Sequence, residues 1–273
     1  MILPGLRQVL DHEPVPASGH CPGIAIDLGS ARTRAWIPGR GVVVDAPSVA
    51  LTTRGPRYPV RCGRVVEVAY CARMLGLLLA RHTRHGRPLV VLSGPVGADA
   101  AERDAALAAL EVLTPGSVLT IESVKAAAIG HPSVLPGGRS LLVVDVGAQL
   151  TEVAVLTDGV VVRARRAEVG TGDLGCGLSA ESIARTVAGM VVRLLREDGT
   201  ADTVDALSRG PLLTGGGALR PEIAYRLSEE LRTSVRPAPA PYWAVLRGAA
   251  VALQAARRHP SAVENPPFAP GRE

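Results

Sequence analysis

The chain has 273 residues, a formal net charge of +5 and 47% hydrophobic against 20% charged side chains, which supplies a buried core and excludes disorder of the whole. At about 150 residues per domain, that length makes one large domain or two lobes. The longest apolar runs, 74–80 and 141–144, fall far short of the roughly 18 residues that cross a bilayer.

The basic balance is mild, and two Trp, four Tyr and one Phe leave few platforms on which bases stack, so no nucleic-acid partner is expected. Cys21, Cys62, Cys71 and Cys176 show no C-x-x-C pairing and read as idle thiols in a reducing compartment. The chain opens without a basic-then-apolar leader, and a cytoplasmic location is expected from that.

In chain order, residues 1–22 begin with an apolar pattern (Ile2, Leu3, Leu6, Val9, Leu10) that Pro4 and Gly5 interrupt, then run into a Pro-rich stretch. They read as a frayed tail, with 1–13 the segment that would touch a membrane or a partner. Residues 23–27 form an apolar strand ending in Asp27-Leu-Gly29, a turn through 30–32 leads to a strand at 33–37, and the turn Pro38-Gly-Arg-Gly41 leads to a third at 42–44. Three strands joined by tight turns make an antiparallel meander. Spacing predicts a helix over 67–84, whose basic end (Arg81, His82, Arg84, His85) suits the helix dipole. A buried strand at 89–92, an Ala-rich helix at 99–113, a strand at 118–121, a short helix at 122–130 and a linker at 131–138 follow.

The cycle then restarts. A strand at 141–145 ends in Asp145-Val-Gly147, strands at 152–156 and 160–165 flank Thr157-Asp-Gly159, and a helix covers 180–196. A strand at 212–213, the triplet Gly215-Gly-Gly217, a helix after Pro221 and a last helix at about 242–257 complete the pattern, and 259–273 reads as a disordered tail. An apolar strand ending in Asp-x-Gly and followed by a hairpin thus occurs twice. Such a duplication predicts two lobes facing across a cleft, lobe I from 23–138 plus 240–258 and lobe II from 139–239, with tails at 1–22 and 259–273.

A strand that ends in Asp-x-Gly and turns tightly aims several backbone N–H groups into one concavity, where they hold phosphate oxygens. The aspartate repels phosphate directly but can hold a hydrated Mg²⁺. Gly215-Gly-Gly217, after an apolar strand and before Pro221, supplies a flat surface suited to a nucleoside or to a phosphate at a helix N-terminus.

These residues resemble the actin/Hsp70/sugar-kinase ATPase superfamily, and within it the MreB branch of bacterial actins. Ile26-Asp-Leu-Gly-Ser-Ala-Arg-Thr33 is similar to the first phosphate hairpin I-D-L-G-T-A-N-T, and the stretch from Pro38 to Ala50 is similar to the MreB pattern K-G-x-G-I-V-L-N-E-P-S-V-V-A. Gly94-Pro-Val-Gly-Ala98 with Glu102-Arg103, Ala126-Ala-Ala-Ile-Gly130, Thr151-Glu-Val-Ala-Val155 and Leu213-Thr-Gly-Gly-Gly-Ala-Leu219 extend the likeness over 23 to about 253.

The resemblance implies an α/β, actin-like (ribonuclease H-like) fold of duplicated βββαβαβα lobes with an interlobe nucleotide cleft. It implies ATP as ligand, phosphates on Asp27, Gly29, Ser30, Ala31, Arg32 and Thr33 and on Asp145, Gly147, Ala148, Gln149, Leu150 and Thr151. It places adenosine on Gly215, Gly216, Gly217, Ala218 and Leu219, and Mg²⁺ on Asp27 and Asp145 through water. The implied role is structural, in cell-shape or envelope morphogenesis, with full-length MreB or cell-wall proteins as partners and a cytoplasmic location, peripheral at the inner membrane if 1–13 or a partner reaches it.

The departures are as informative. Ser48-Val-Ala50 runs almost directly through 65–69 into the first long helix, and Val169-Gly-Thr-Gly-Asp173 is followed within a few residues by the helix near Ser179. Both outer subdomains of the family, IB and IIB, are therefore expected to be absent or reduced to loops, and with them the surface that builds filaments. No filaments are expected of the chain alone, or short co-assemblies with a full-length MreB. In the second hairpin Ala148 and Gln149 restrict φ where the family has glycine, and Leu150 removes a hydroxyl. Ser123 falls where the family places the glutamate that positions the attacking water, and Glu122, turned about 100° away on a helix, is a poor substitute. Weak or absent hydrolysis is expected. Arg32 either adds positive charge to the anion turn or faces solvent. Two alternatives stand beside the ATP-binding reading: a nucleotide-independent adaptor, and a small-molecule phosphotransferase with Asp173 as its candidate base.

Overall fold

The computed structural model describes residues 23–83, 86–131 and 140–259. The expected tails, the membrane-touching 1–13, the linker beyond His131 and the basic pair Arg84 and His85 lie outside the described residues. The predicted meander forms as β1 (Gly23–Leu28), β2 (Arg32–Ile37) and β3 (Gly41–Pro47). Four short strands follow: β4 (Ala50–Thr52), β5 (Gly55–Arg57), β6 (Val60–Arg61) and β7 (Arg64–Val65). Then come α1 (Val68–Leu79), β8 (Leu89–Gly94), α2 (Ala100–Leu110), β9 (Ser117–Glu122) and α3 (Ser123–Ile129). The second cycle runs β10 (Leu141–Val146), β11 (Thr151–Thr157), β12 (Val160–Ala167), α4 (Ala180–Glu197) and α5 (Asp202–Ser208). It closes with β13 (Leu212–Thr214), α6 (Pro221–Leu231), β14 (Arg236–Pro237) and α7 (Ala244–Arg258).

The two five-stranded sheets have the orders β3-β2-β1-β8-β9 and β12-β11-β10-β13-β14. In each, the meander is antiparallel and its first strand pairs in parallel with a later one. The repeat seen in the sequence is thus a repeat of topology. The inner strands β1 and β10 are apolar up to Asp27 and Asp145 because both of their faces are covered. Ile24, Ile26 and Leu28 pack against Met74, Leu75 and Leu79 of α1, whereas Ala25 meets Leu246, Ala249 and Leu253 of α7. In the second sheet Leu142, Val144 and Val146 meet Ile183 and Val187 of α4, while Val143 meets Ala126 and Ala127 of α3.

Helices α3 and α7 therefore connect the sheets, and they cross at close range. A Cβ on Gly248 would lie 1.7 Å from Ala126 O, and one on Gly130 would lie 2.4 Å from Ala244 O. Glycine is the residue that lets these backbones touch.

Four features differ from the sequence expectation. Residues 48–65 hold two ribbons, β4–β5 and β6–β7, rather than a plain loop, because strands of two or three residues show no periodicity. The first helix ends at Leu79 and tightens into a 3₁₀ turn to His82, short of 84. Helix α5 and strand β14 are also unpredicted: the first is a single capped segment in which Asp198 accepts from Thr203 N at 2.7 Å, and the second is two residues long. Between Asp173 and α4 the chain makes only a bridge between Leu174 and Leu178.

Candidate functional site

One short turn follows the inner strand of each sheet. Gly29 N–H donates to Arg32 O at 3.0 Å, and Gly147 N–H donates to Leu150 O at 2.8 Å. A Cβ on either glycine would approach that carbonyl to 2.9 Å, so both turns require glycine. The register of the hairpins sets one residue opposite each aspartate: Arg34 faces Asp27, and Glu152 faces Asp145. On the other side, the parallel strand supplies a hydroxyl. Ser93 Oγ donates to Asp27 Oδ1 at 3.3 Å, and Thr214 Oγ1 donates to Asp145 Oδ1 at 2.9 Å. Each lobe thus carries the arrangement hydroxyl, aspartate, ionisable partner, the partner being a base in the first lobe and an acid in the second.

Both turns open on one cleft of about 250 Å³. Of the residues picked from the sequence, Asp27, Gly29, Ser30, Ala31 and Arg32 line it from the first turn, and Asp145, Gly147, Ala148, Gln149 and Leu150 line it from the second. Gly215 and Gly216 reach it as well. Thr33 and Thr151 do not: each is the first buried strand residue past its turn, with the Thr33 hydroxyl 2.8 Å from Ser48 Oγ and the Thr151 hydroxyl donating to Val169 O at 2.8 Å. Gly217 is buried against Val146, and Ala218 and Leu219 follow the 3₁₀ turn away from the cleft, leaving Leu219 exposed.

Among the lining residues that motif reading did not select are Arg34, Glu152 and Tyr242. Arg34 is nearly buried, with Nη1 3.2 Å from Asp27 Oδ2 and Nε 3.2 Å from Asp45 Oδ1 but without a hydrogen bond. Its guanidinium lies 5.9 Å from the ring of Tyr242 and 5.2 Å from that of Trp243, a cation–π arrangement that fixes the head. The signal in the sequence was the equal spacing from Asp27 to Arg34 and from Asp145 to Glu152, which a tight hairpin converts into direct opposition. The other arginine of this turn, Arg32, is tied by Nε to Asp45 Oδ1 at 2.6 Å. The tip between β6 and β7 bridges both turns: Gly63 N–H donates to Ser30 Oγ at 2.9 Å and Cys62 N–H to Gln149 Oε1 at 3.2 Å.

Residues 56–176 match the MreB/Mbl protein family model. The cell shape-determining protein MreB of Escherichia coli (strain K12) is 27% identical over 178 residues, covering 54% of this chain and 51% of that protein. MreB of Pasteurella multocida is 26% identical over the same coverage. The chain therefore spans about half the length of the curated relatives it matches. Among solved structures, MreB5 of Spiroplasma citri bound to AMPPNP superposes with a TM-score of 0.77 at 19% identity, over 91% of this chain and 99% of that one. The MamK double helical filament gives a TM-score of 0.67 at 16% identity, over 88% and 100%. This chain has the actin-like fold and resembles MreB.

In the MreB-like cleft, burial dominates the acids. It raises Asp27, against the opposing pull of Arg34. Burial pushes Asp145 up to about 6, with Thr214 lowering it and the charge of Asp27 raising it. Glu152 is pushed up to about 8, by burial first and the charge of Asp145 second, while its Oε1 accepts from Val96 N at 2.6 Å. Burial and the charge of Asp145 thus favour the protonated form of Glu152.

A hydrated Mg²⁺ shared by Asp27 and Asp145 does not fit these residues. Asp27 already carries a cationic partner, Arg34, and one oxygen of Asp145 is taken by Thr214. Among the described residues no group of three His, Cys, Asp or Glu is placed to hold a metal ion. Ser123 lines the cleft, but its Oγ donates to Gly94 O at 2.9 Å, and Glu122 lines a separate cavity under α2. Asp173, the candidate base of the phosphotransferase reading, accepts from Gly170 N at 2.9 Å and stays out of the cleft lining. No helix among the described residues is long and apolar enough to cross a membrane.

Proposed function

We propose that this MreB-like chain binds ATP in the interlobe cleft, hydrolyses it weakly or not at all, and serves as a structural component of cell-shape or envelope morphogenesis with full-length MreB-type partners, in the cytoplasm and peripherally at the inner membrane. The observation that carries the reading is the repeated glycine turn: two turns of the same build, each requiring glycine, line one cleft, a shape suited to cradling a phosphate chain. The MreB5 structures of Spiroplasma citri are those of complexes with AMPPNP and with ADP, which supports the same ligand class here.

Hydrolysis requires a water held in line by a polar side chain with proton-accepting capacity. Ser123 stands where the family's glutamate is expected, and its hydroxyl is engaged by Gly94 O. A phosphotransferase needs a base in the cleft, and Asp173 serves a turn instead. The adaptor reading draws on one specific feature: the β6–β7 tip already rests on both turns, with Gly63 N–H donating to Ser30 Oγ and Cys62 N–H to Gln149 Oε1, so the turns are tied together without a ligand. Calorimetric titration of ATP, in parallel with a phosphate-release assay, separates the readings. Binding without release above the buffer rate is expected. No heat of binding at millimolar ATP selects the adaptor, and sustained turnover contradicts the loss of hydrolysis.

A further inference from the structure

We infer that the guanidinium of Arg34 takes the place of a divalent cation in this cleft, so that the phosphate chain bound there is the metal-free species; this rests on the nucleotide reading above. Three observations carry it. Arg34 is the cation beside Asp27, its Nη1 3.2 Å from Asp27 Oδ2, and it lines the same cleft as the glycine turns. The head is held rather than waving, since the rings of Tyr242 and Trp243 flank it and Asp45 lies 3.2 Å from Nε. Its Nε is buried and faces Asp45, which anchors the base of the guanidinium fork.

The chemistry of the two cations is comparable at this position. A divalent ion screens the repulsion between a carboxylate and a phosphate by standing between them. A guanidinium does the same with one charge and a planar fork of five donors, some facing the aspartate and the rest free for phosphate oxygens. A second cation brought in with MgATP would meet Arg34 at short range in a desolvated cleft, where like charges repel strongly. The repeat makes the contrast internal to the molecule: the equivalent position in lobe II is Glu152, which cannot play that role.

The test is calorimetric titration of ATP, with inorganic tripolyphosphate as a probe lacking the nucleoside, in excess EDTA and in excess magnesium. Wild-type protein binds both probes in EDTA, and magnesium weakens ATP binding about tenfold. Arg34→Leu loses at least about tenfold in EDTA and now gains affinity with magnesium, whereas Arg34→Lys keeps most of the metal-free binding. Asp27→Asn frees the guanidinium and tightens metal-free binding, the opposite of what a metal-ligating aspartate predicts. Thermal melts of each variant report folding, and the Lys and Asn variants keep the side-chain volume if the Leu variant does not fold. Binding that requires magnesium, or loss of binding in Asp27→Asn, overturns the inference and leaves the nucleotide reading intact. Absence of ATP binding in both conditions overturns the two together.

Discussion

Glu152 shows how a single buried acid sets the pH response of the molecule. Its carboxyl, pushed up to about 8 by burial and by Asp145, faces Val96 N and Arg166, with Glu122 adding to the upward push. The folded chain therefore holds a proton that the unfolded chain, with an ordinary glutamate, has already released. Its contribution is fully present below about pH 4.5 and is lost as pH rises through about 8, so stability declines across that window. Asp145 acts with the same sign over the lower part of the window, up to about 6. Glu152→Gln keeps the acceptor for Val96 and removes the titration. Thermal melts at about pH 8.5 and pH 5.5 are expected to show the variant gaining about 1–3 kcal/mol over wild type at the higher pH and much less at the lower. An equal gain at both would mean that Glu152 is ionised throughout. The same register that places Glu152 beside Asp145 places Arg34 beside Asp27. Neither was legible as a site residue, because each lies on a strand beyond the glycine turn and becomes part of the cleft only through cross-strand pairing. The aspartates were legible, since the Asp-x-Gly ending marks them within the local sequence.

Among the elements, α3 and α7 tie the sheets together through glycine contacts. The Cβ of Gly248→Ala would fall 1.7 Å from Ala126 O, so the helices must separate, and a loss of at least about 3 kcal/mol is expected by chemical denaturation. Gly189→Ala on α4, where nothing lies within 4 Å of the added Cβ, is the counterpart: it is expected to gain about 0.5–1 kcal/mol through helix propensity alone. An effect at Gly248 as small as that at Gly189 would show the crossing to be looser than described. The long elements were readable from periodicity: β1, β10, α4 and α7 each bury a defined face over at least one full repeat. The ribbons of 50–65, helix α5 and strand β14 were not, since two or three residues carry no period and their stability comes from neighbours. The tip between β6 and β7 matters beyond its size, because Cys62 and Gly63 hold both glycine turns at once.

Across the whole molecule, contacts that cross between the sheets surround the cleft. Glu152 reaches Val96, the β6–β7 tip reaches Gln149, and Glu102, which caps α2 with Asp99, receives both Arg64 and Arg166. On the nucleotide reading, a ligand that engages both turns bears on all of these contacts. Hydrogen exchange read by mass spectrometry tests this most directly, with ATP added in EDTA and in magnesium. Peptides spanning 27–34 and 145–152 are expected to gain protection together, at the same ATP concentration. Protection of one turn without the other, or of neither while ATP binds elsewhere, would contradict a phosphate site shared by the two lobes.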